Sequence, residues 1–342
     1  MSESVKYRSA RAEVVDAACS NMFRWFAFFS TIVVVVSHIS IFNISSEEMW
    51  IAKYFCAGHV YSFFFMSGFF ISMSMGDENW YAVSLAKRIR TLIVPYVLWC
   101  LFYYLLKFFE SPLAVYNEVF NSRDMALNKV FGLGFGTPPY NIPLWYIKCL
   151  FVFVVGAPLF NSLVENRGRV GLAMFALCVF WIAGNVCGWP FMEAIHYGFS
   201  LRGLTLFLLG MYCYRNYGCR YLSKVKKWHG VIALFVWLAF SRVEFSYPTI
   251  VLQWMLPFVC VFCMQIFVAG LFRDVSLPKY CKPIFFVFVM HMAVMRLAGK
   301  MVMPIIGVWG IAVVAIVIPL IVASLLKTFV PRAYLVLTGG RQ

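Results

Sequence analysis

Apolar runs long enough to cross a lipid bilayer recur along this whole sequence, near residues 22–42, 50–74, 92–108, 143–164, 170–188, 199–214, 228–241, 249–272, 283–303 and 305–326. A bilayer core about 30 Å thick takes a helix of roughly 20 apolar residues. Lipid offers the backbone no hydrogen-bond partner, so each run is expected to be a helix that satisfies its own N–H and C=O groups. A soluble fold cannot absorb so much apolar surface: 63% of the 342 residues are hydrophobic and 13% are charged, against about half and a quarter in an ordinary domain. The predicted fold is an all-α integral membrane protein of about ten transmembrane helices. A tail over 1–21, a membrane domain over 22–330 and a second tail over 331–342 make up the expected organisation. The run 228–241 is the weakest, and 81–91 reads as an amphipathic lead-in to the third run. The long loop 109–142 carries a breaker cluster, Gly132 to Pro139.

The basic residues orient these spans. With the first tail inside, 19 of the 29 Lys and Arg fall in inner regions, among them Lys87, Arg88, Arg90, Lys224, Lys279 and Lys282. Five fall outside (Lys107, Arg123, Lys129, Arg242 and Lys300) and five lie within spans. That asymmetry predicts cytoplasmic termini and an even number of spans in a multi-pass protein of the bacterial cytoplasmic (inner) membrane. The net charge of +15 is accounted for by anionic lipid beside the spans and implies no nucleic-acid partner. The eleven cysteines show no disulfide framework and no metal-ligand spacing, and Cys260-x-x-Cys263 stands in an apolar run where packing is the expected role. Cys19 has no apolar run before it, so the first tail reads as neither a cleaved signal nor a lipoprotein anchor.

Ionisable groups inside spans are costly and normally face a cavity or a partner. Here they are Arg24, His38, Lys53, His59, Lys148, Arg202, His291 and Arg296. Snorkelling explains some of them, above all Arg24, Lys53 and Arg296. His38 differs, because it follows the apolar run Val33 to Val36, about 24 Å along a helix that starts near residue 22. Apolar surroundings keep an imidazole neutral, the state a general base requires.

Several landmarks then fall in a fixed order. Ser20-Asn21-Met22-Phe23-Arg24 precedes His38, and Phe65-Met66-Ser67-Gly68-Phe69 follows in the second run. Lys87-Arg88-Ile89-Arg90 leads into Val94-Pro95-Tyr96-Val97-Leu98-Trp99, and Pro143-Leu144-Trp145-Tyr146 opens the fourth run. Phe207-Leu208-Leu209-Gly210 and Phe286-Val287-Phe288-Val289-Met290-His291 come later. In this order and layout the chain resembles the acyltransferase-3 family of membrane O-acyltransferases, here without a fused hydrolase-like domain. One departure stands out: the family usually places ten residues between its arginine and histidine, whereas thirteen separate Arg24 from His38. A separation of 14 positions still leaves the two on one helix face, about 40° apart in azimuth and about 21 Å apart in height.

The resemblance implies transfer of an acyl group, expected to be acetyl, from acyl-CoA to a cell-surface glycan or its lipid-linked precursor. His38 would be the catalytic residue, as general base or as carrier of the acyl group, and the sequence leaves both routes open. Arg24, Arg88 and Arg90 would bind the donor, since guanidinium groups match phosphates. His59, Ser67, Trp145, Lys148, Arg202 and His291 are candidates for the cavity wall. Ser67-Gly68 also suits close helix packing, and Trp145-Tyr146 an interfacial aromatic belt. Acetyl-CoA, or another acyl-CoA, is expected as a co-substrate, with no tightly bound cofactor and no metal. The alternative is an exporter or flippase for a lipid-linked glycan, which would also use many helices and buried cations. No repeated pair of broken helices supports it.

Overall fold

A computed structural model describes residues 17–75, 79–113, 115–116, 131, 141–192, 195 and 198–340. Most of the loop 109–142 and of the first tail therefore lies outside the described residues. Among those residues the chain is helical throughout, with no strand. The principal helices are α1 (Ala17–Ser37), α2 (Tyr61–Ser74), α3 (Trp80–Glu110), α4 (Trp145–Val155), α5 (Ala157–Val164) and α6 (Arg167–Val186). They continue as α7 (Leu201–Tyr217), α8 (Lys227–Ser246), α9 (Ile250–Leu271), α10 (Ile284–Met301), α11 (Met303–Phe329) and α12 (Pro331–Thr338).

Each of the ten apolar runs is helical in whole or in large part, but they differ in form. Seven helices are long and apolar enough to cross a membrane, the first of them continuing from α1 through a 3-10 turn to Ile41. The fourth run is broken: α4 and α5 meet at a bend of 68°, at Gly156 followed by Pro158, where proline has no N–H to continue the ladder. The second and sixth runs give the 14-residue α2 and the 17-residue α7. At 1.5 Å per residue these reach about 21 and 26 Å. The weak seventh run forms the full-length α8, which Arg242 to Ser246 extend by a further turn at its C-terminal end.

Helices α2 and α7 pack closely against each other. A Cβ at Gly68 would lie 2.0 Å from the Phe207 carbonyl oxygen, and one at Gly210 would lie 2.1 Å from that of Phe65. The α2 and α7 backbones thus touch at two landmarks of the sequence, and this contact accounts for Gly68 as a packing residue. Cys260 is fully buried, and a Cβ at Gly58 would come within 2.7 Å of its own, so this cysteine acts as a small packing group. The amphipathic lead-in to the third run is continuous with its span. A π turn over Ile89–Ile93 joins the two parts, just before Pro95, which has no N–H to give to the preceding turn.

The described chain ends meet at one end of the bundle. Where a tail is expected, α12 docks instead: Tyr334 is 2% exposed, and the Trp99 indole donates to the Leu337 carbonyl at 3.1 Å. Ser20 at the start of α1 and Thr338 at the end of α12 line the same cavity. Alternating Tyr334, Leu337 and Thr338 against exposed Leu335 and Val336 gives α12 the helical period of a surface element, which is why it packs rather than trails.

Candidate active site

One face of α1 organises the site. Ser20, Arg24 and Ala27 line a cavity of about 440 Å³, and Ala27 and Thr31 line a second of about 210 Å³. Successive steps of four, three and four residues keep these side chains in one stripe, and seven further residues carry the stripe to His38. Helix α1 is unbroken from Ala17 to Ser37, so no bulge shortens the distance between Arg24 and His38. His38 opens a 3-10 turn that ends the helix.

Helices α2 and α10 complete the walls. Met66 of α2 and Ile284 and Phe285 of α10 line both cavities together with Ala27, so the two volumes adjoin. The larger is closed by Lys282, Phe286, Tyr334 and Thr338. The smaller is closed by Phe63, Ser67, Arg88, Tyr146 and Phe288. Helix α10 runs parallel to α1: Ile284 stands beside Ala27, Phe288 in the cavity of Thr31, and His291 beside His38.

Beyond the smaller cavity, lining neither volume, two imidazoles face each other with ring centroids 5.2 Å apart. The Phe288 ring in the cavity wall lies 6.1 Å from that of His291. His291 is fully buried, and its Nδ1 lies 2.7 Å from the Phe288 carbonyl oxygen. A carbonyl only accepts, so this contact assigns the hydrogen to Nδ1 and leaves Nε2 with a free lone pair. That Nε2 is buried and has no hydrogen-bond partner among the described residues. His38 makes no hydrogen bond among the described residues and is half-buried.

The backbone around His291 is fixed from α3. The Tyr103 hydroxyl donates to the Val289 carbonyl at 3.0 Å and accepts the Ala293 N–H at 2.9 Å. It thereby inserts at both ends of one helical hydrogen-bond step. Asn141 adds a second donor to Val289, at 3.2 Å.

The remaining expected residues divide. Ser67 and Arg88 are in the smaller cavity, and Arg24 is at the mouth of the larger. Arg90 is exposed and lines neither, because two residues along a helix turn about 200° and point the pair to opposite faces. His59 lies within electrostatic reach of His38, with its Nδ1 2.9 Å from the Cys56 carbonyl. Arg202 donates to the Gln253 carbonyl at 3.0 Å and lies over the Tyr61 and Trp181 rings, a cation–π clamp within electrostatic reach of His59. Trp145 and Lys148 line neither cavity: Trp145 is buried with its ring 6.1 Å from that of Phe64, and Lys148 is half-buried within electrostatic reach of Cys149 and Cys100. The wall residue at this corner is Tyr146, whose ring meets Phe288 at 4.9 Å.

Thr31, Lys282, Tyr334 and Thr338 were not expected here. Thr31 was findable, since it lies halfway along the face between Arg24 and His38. Lys282 was not: in the sequence it is one of many basic residues at a span's edge, and only the tertiary fold brings it, still exposed, to the rim of this cavity. Among the described residues no three His, Cys, Asp or Glu side chains gather as a metal site requires. The arrangement is suited to a long ligand with an anionic head between Arg24, Lys282 and Arg88 and a reactive end beside His38.

Comparison with known families gives a match over residues 21–328 to the model described as an acyltransferase domain. No curated protein and no solved structure matches the chain. That match spans nearly the whole sequence, so the chain belongs to the acyltransferase-3 family and is a membrane acyltransferase.

Proposed function

We propose that this protein is an O-acetyltransferase of the bacterial cytoplasmic membrane, taking its acetyl group from acetyl-CoA and giving it to an extracytoplasmic glycan. The observation that carries the proposal is the pair of adjoining cavities along one face of α1, with Arg24 and Lys282 in the larger and Arg88 in the smaller, whose wall residue Phe288 lies 6.1 Å from the His291 ring of the His38–His291 pair. The donor's phosphates bind the guanidinium and ammonium groups, and its arm follows the stripe past Ala27 and Thr31. The two volumes fall in the range of ordinary ligand pockets. The modest size of the inner one, bounded by Phe63, Tyr146 and Phe288, favours a short acyl group.

The acceptor reaches His38 from the opposite side. A free imidazole nitrogen of His38 takes the proton of the sugar hydroxyl while the hydroxyl oxygen bonds to the thioester carbonyl carbon. The C–S bond then breaks, and the imidazolium returns its proton to the departing thiolate. His291 holds a second lone pair at Nε2 within the same pocket, which keeps the local surroundings receptive to that transient proton. With the chain ends in the cytoplasm, as the distribution of Lys and Arg supports, the donor enters from the side where acyl-CoA is made.

Mass spectrometry of cell-surface glycans tests the reading. An added acetyl mass should be present with the wild-type protein and absent with His38→Ala. Unchanged glycans in both, alongside altered surface display, would favour the exporter instead.

A further inference from the structure

On the far side of the histidine pair from Arg24, two more cavities open, of about 540 and 240 Å³, and they share Lys107, Glu110 and Arg296. Ile41 and Phe42, which close the turn begun by His38, line the larger. Tyr103 and Ala293, which flank His291, line the smaller. This vestibule therefore touches both supports of the catalytic pair.

Its charge is unbalanced. Lys107, Arg296 and Lys300 surround a single carboxylate, Glu110. Glu110 is engaged by Lys107 at 3.7 Å and by Lys300 at 3.4 Å. Arg296 is half-buried and has no hydrogen bond or ion pair among the described residues. A guanidinium offers five donors in a planar fork that fits two oxygens of one oxyanion. Unpaired in an apolar helix, it is costly unless a ligand uses it.

We propose that the vestibule is the acceptor site and that the acceptor is a glycan carrying an oxyanion, gripped by Arg296 so that its hydroxyl reaches His38. This rests on the acyltransferase reading of the site given above. The oxyanion has two sources, the carboxylate of a uronic sugar or the phosphate of a lipid-linked precursor, and both present the same pair of oxygens. Lys107 and Lys300 add attraction, and the apolar rim of Ile41, Phe42 and Met303 suits the face of a sugar ring.

The test uses the full chain in phosphatidylcholine nanodiscs and measures binding without turnover. Trigalacturonate is the carboxylate probe, inorganic pyrophosphate the phosphate probe, and maltotriose the neutral control, each followed by calorimetry beside coenzyme A. One of the two anions should bind, maltotriose should not, and Arg296→Gln should weaken the anion at least tenfold while leaving coenzyme A within twofold. Arg296→Lys should recover part of the loss, because it restores charge without the fork. Retained coenzyme A affinity shows that the variants are folded. If neither anion bound the wild-type protein, or if Arg296→Gln bound them equally well, the proposal would be overturned. The same holds if that variant lost only its retention of phosphatidylglycerol, which would make Arg296 a lipid anchor. Loss of coenzyme A binding by the wild-type protein would count against the donor site instead.

Discussion

In the proposed mechanism His38 and His291 have unequal parts. His291 is committed through Nδ1 to the Phe288 carbonyl, so its ring cannot rotate to follow a moving proton. His38 is free to. General-base catalysis is worth about 10²–10⁴ in rate, so His38→Ala should lose at least a hundredfold in transfer while keeping expression and coenzyme A affinity. His291→Ala should lose less, because it removes a neighbour and not the base. Single-turnover assays on the purified variants check this, and the reverse ranking would move the base to α10. At the other end of the passage, Arg24→Ala and Arg88→Ala should each weaken coenzyme A by about 10- to 100-fold, the scale of a hydrogen bond to a charged group. Arg90→Ala should change it much less, since that side chain is exposed. Calorimetry distinguishes the three. The arginine-x-arginine spacing was visible in the sequence, but its division between a cavity and the surface was not. That division follows from helix azimuth once a π turn is known to begin at Ile89.

Among the elements, the α2–α7 crossing has the least tolerance. Because a methyl at Gly68 would meet the Phe207 backbone and not a flexible side chain, the helices must separate to admit it. Overpacking of this kind costs about 1–3 kcal/mol, so Gly68→Ala should lower the melting temperature in detergent and reduce the yield of monodisperse protein. Gly171 of α6 has nothing within 4 Å of its would-be Cβ. Gly171→Ala should leave stability unchanged or slightly raised, by helix propensity alone. A fluorescence-detected melting series on the two variants settles the comparison. The apolar runs were legible element by element, because lipid leaves helices as the simplest way to satisfy the backbone. The bend at Gly156 and the docking of α12 were not, since hydropathy reports where a segment dissolves and not how it turns. In α12 the apolar period was present at Tyr334, Leu337 and Thr338, but it was too short to outweigh its terminal position.

For the molecule as a whole, the meeting of both described chain ends around one cavity makes sidedness a single question. Cys187 is exposed just past α6, and the charge asymmetry predicts that it lies outside. An impermeant maleimide should label Cys187 in intact spheroplasts, while Ser223→Cys, in a background lacking Cys187 and Cys219, should react only after lysis. Labelling of Ser223→Cys in intact cells would invert the topology. The parallel course of α1 and α10 has a further consequence, for biogenesis. Trp25 of α1 donates to the Val275 carbonyl 250 residues later, at 2.9 Å, and His291 and Tyr334 are synthesised later still. At about 5–20 residues per second, His38 waits in the membrane for roughly 10–50 s before its partner helix exists. During that interval the nascent chain holds the proposed base but lacks the Lys282 and α12 walls of the proposed donor cavity. On this reading an unfinished protein has no means to grip a thioester and spill its acyl group to water.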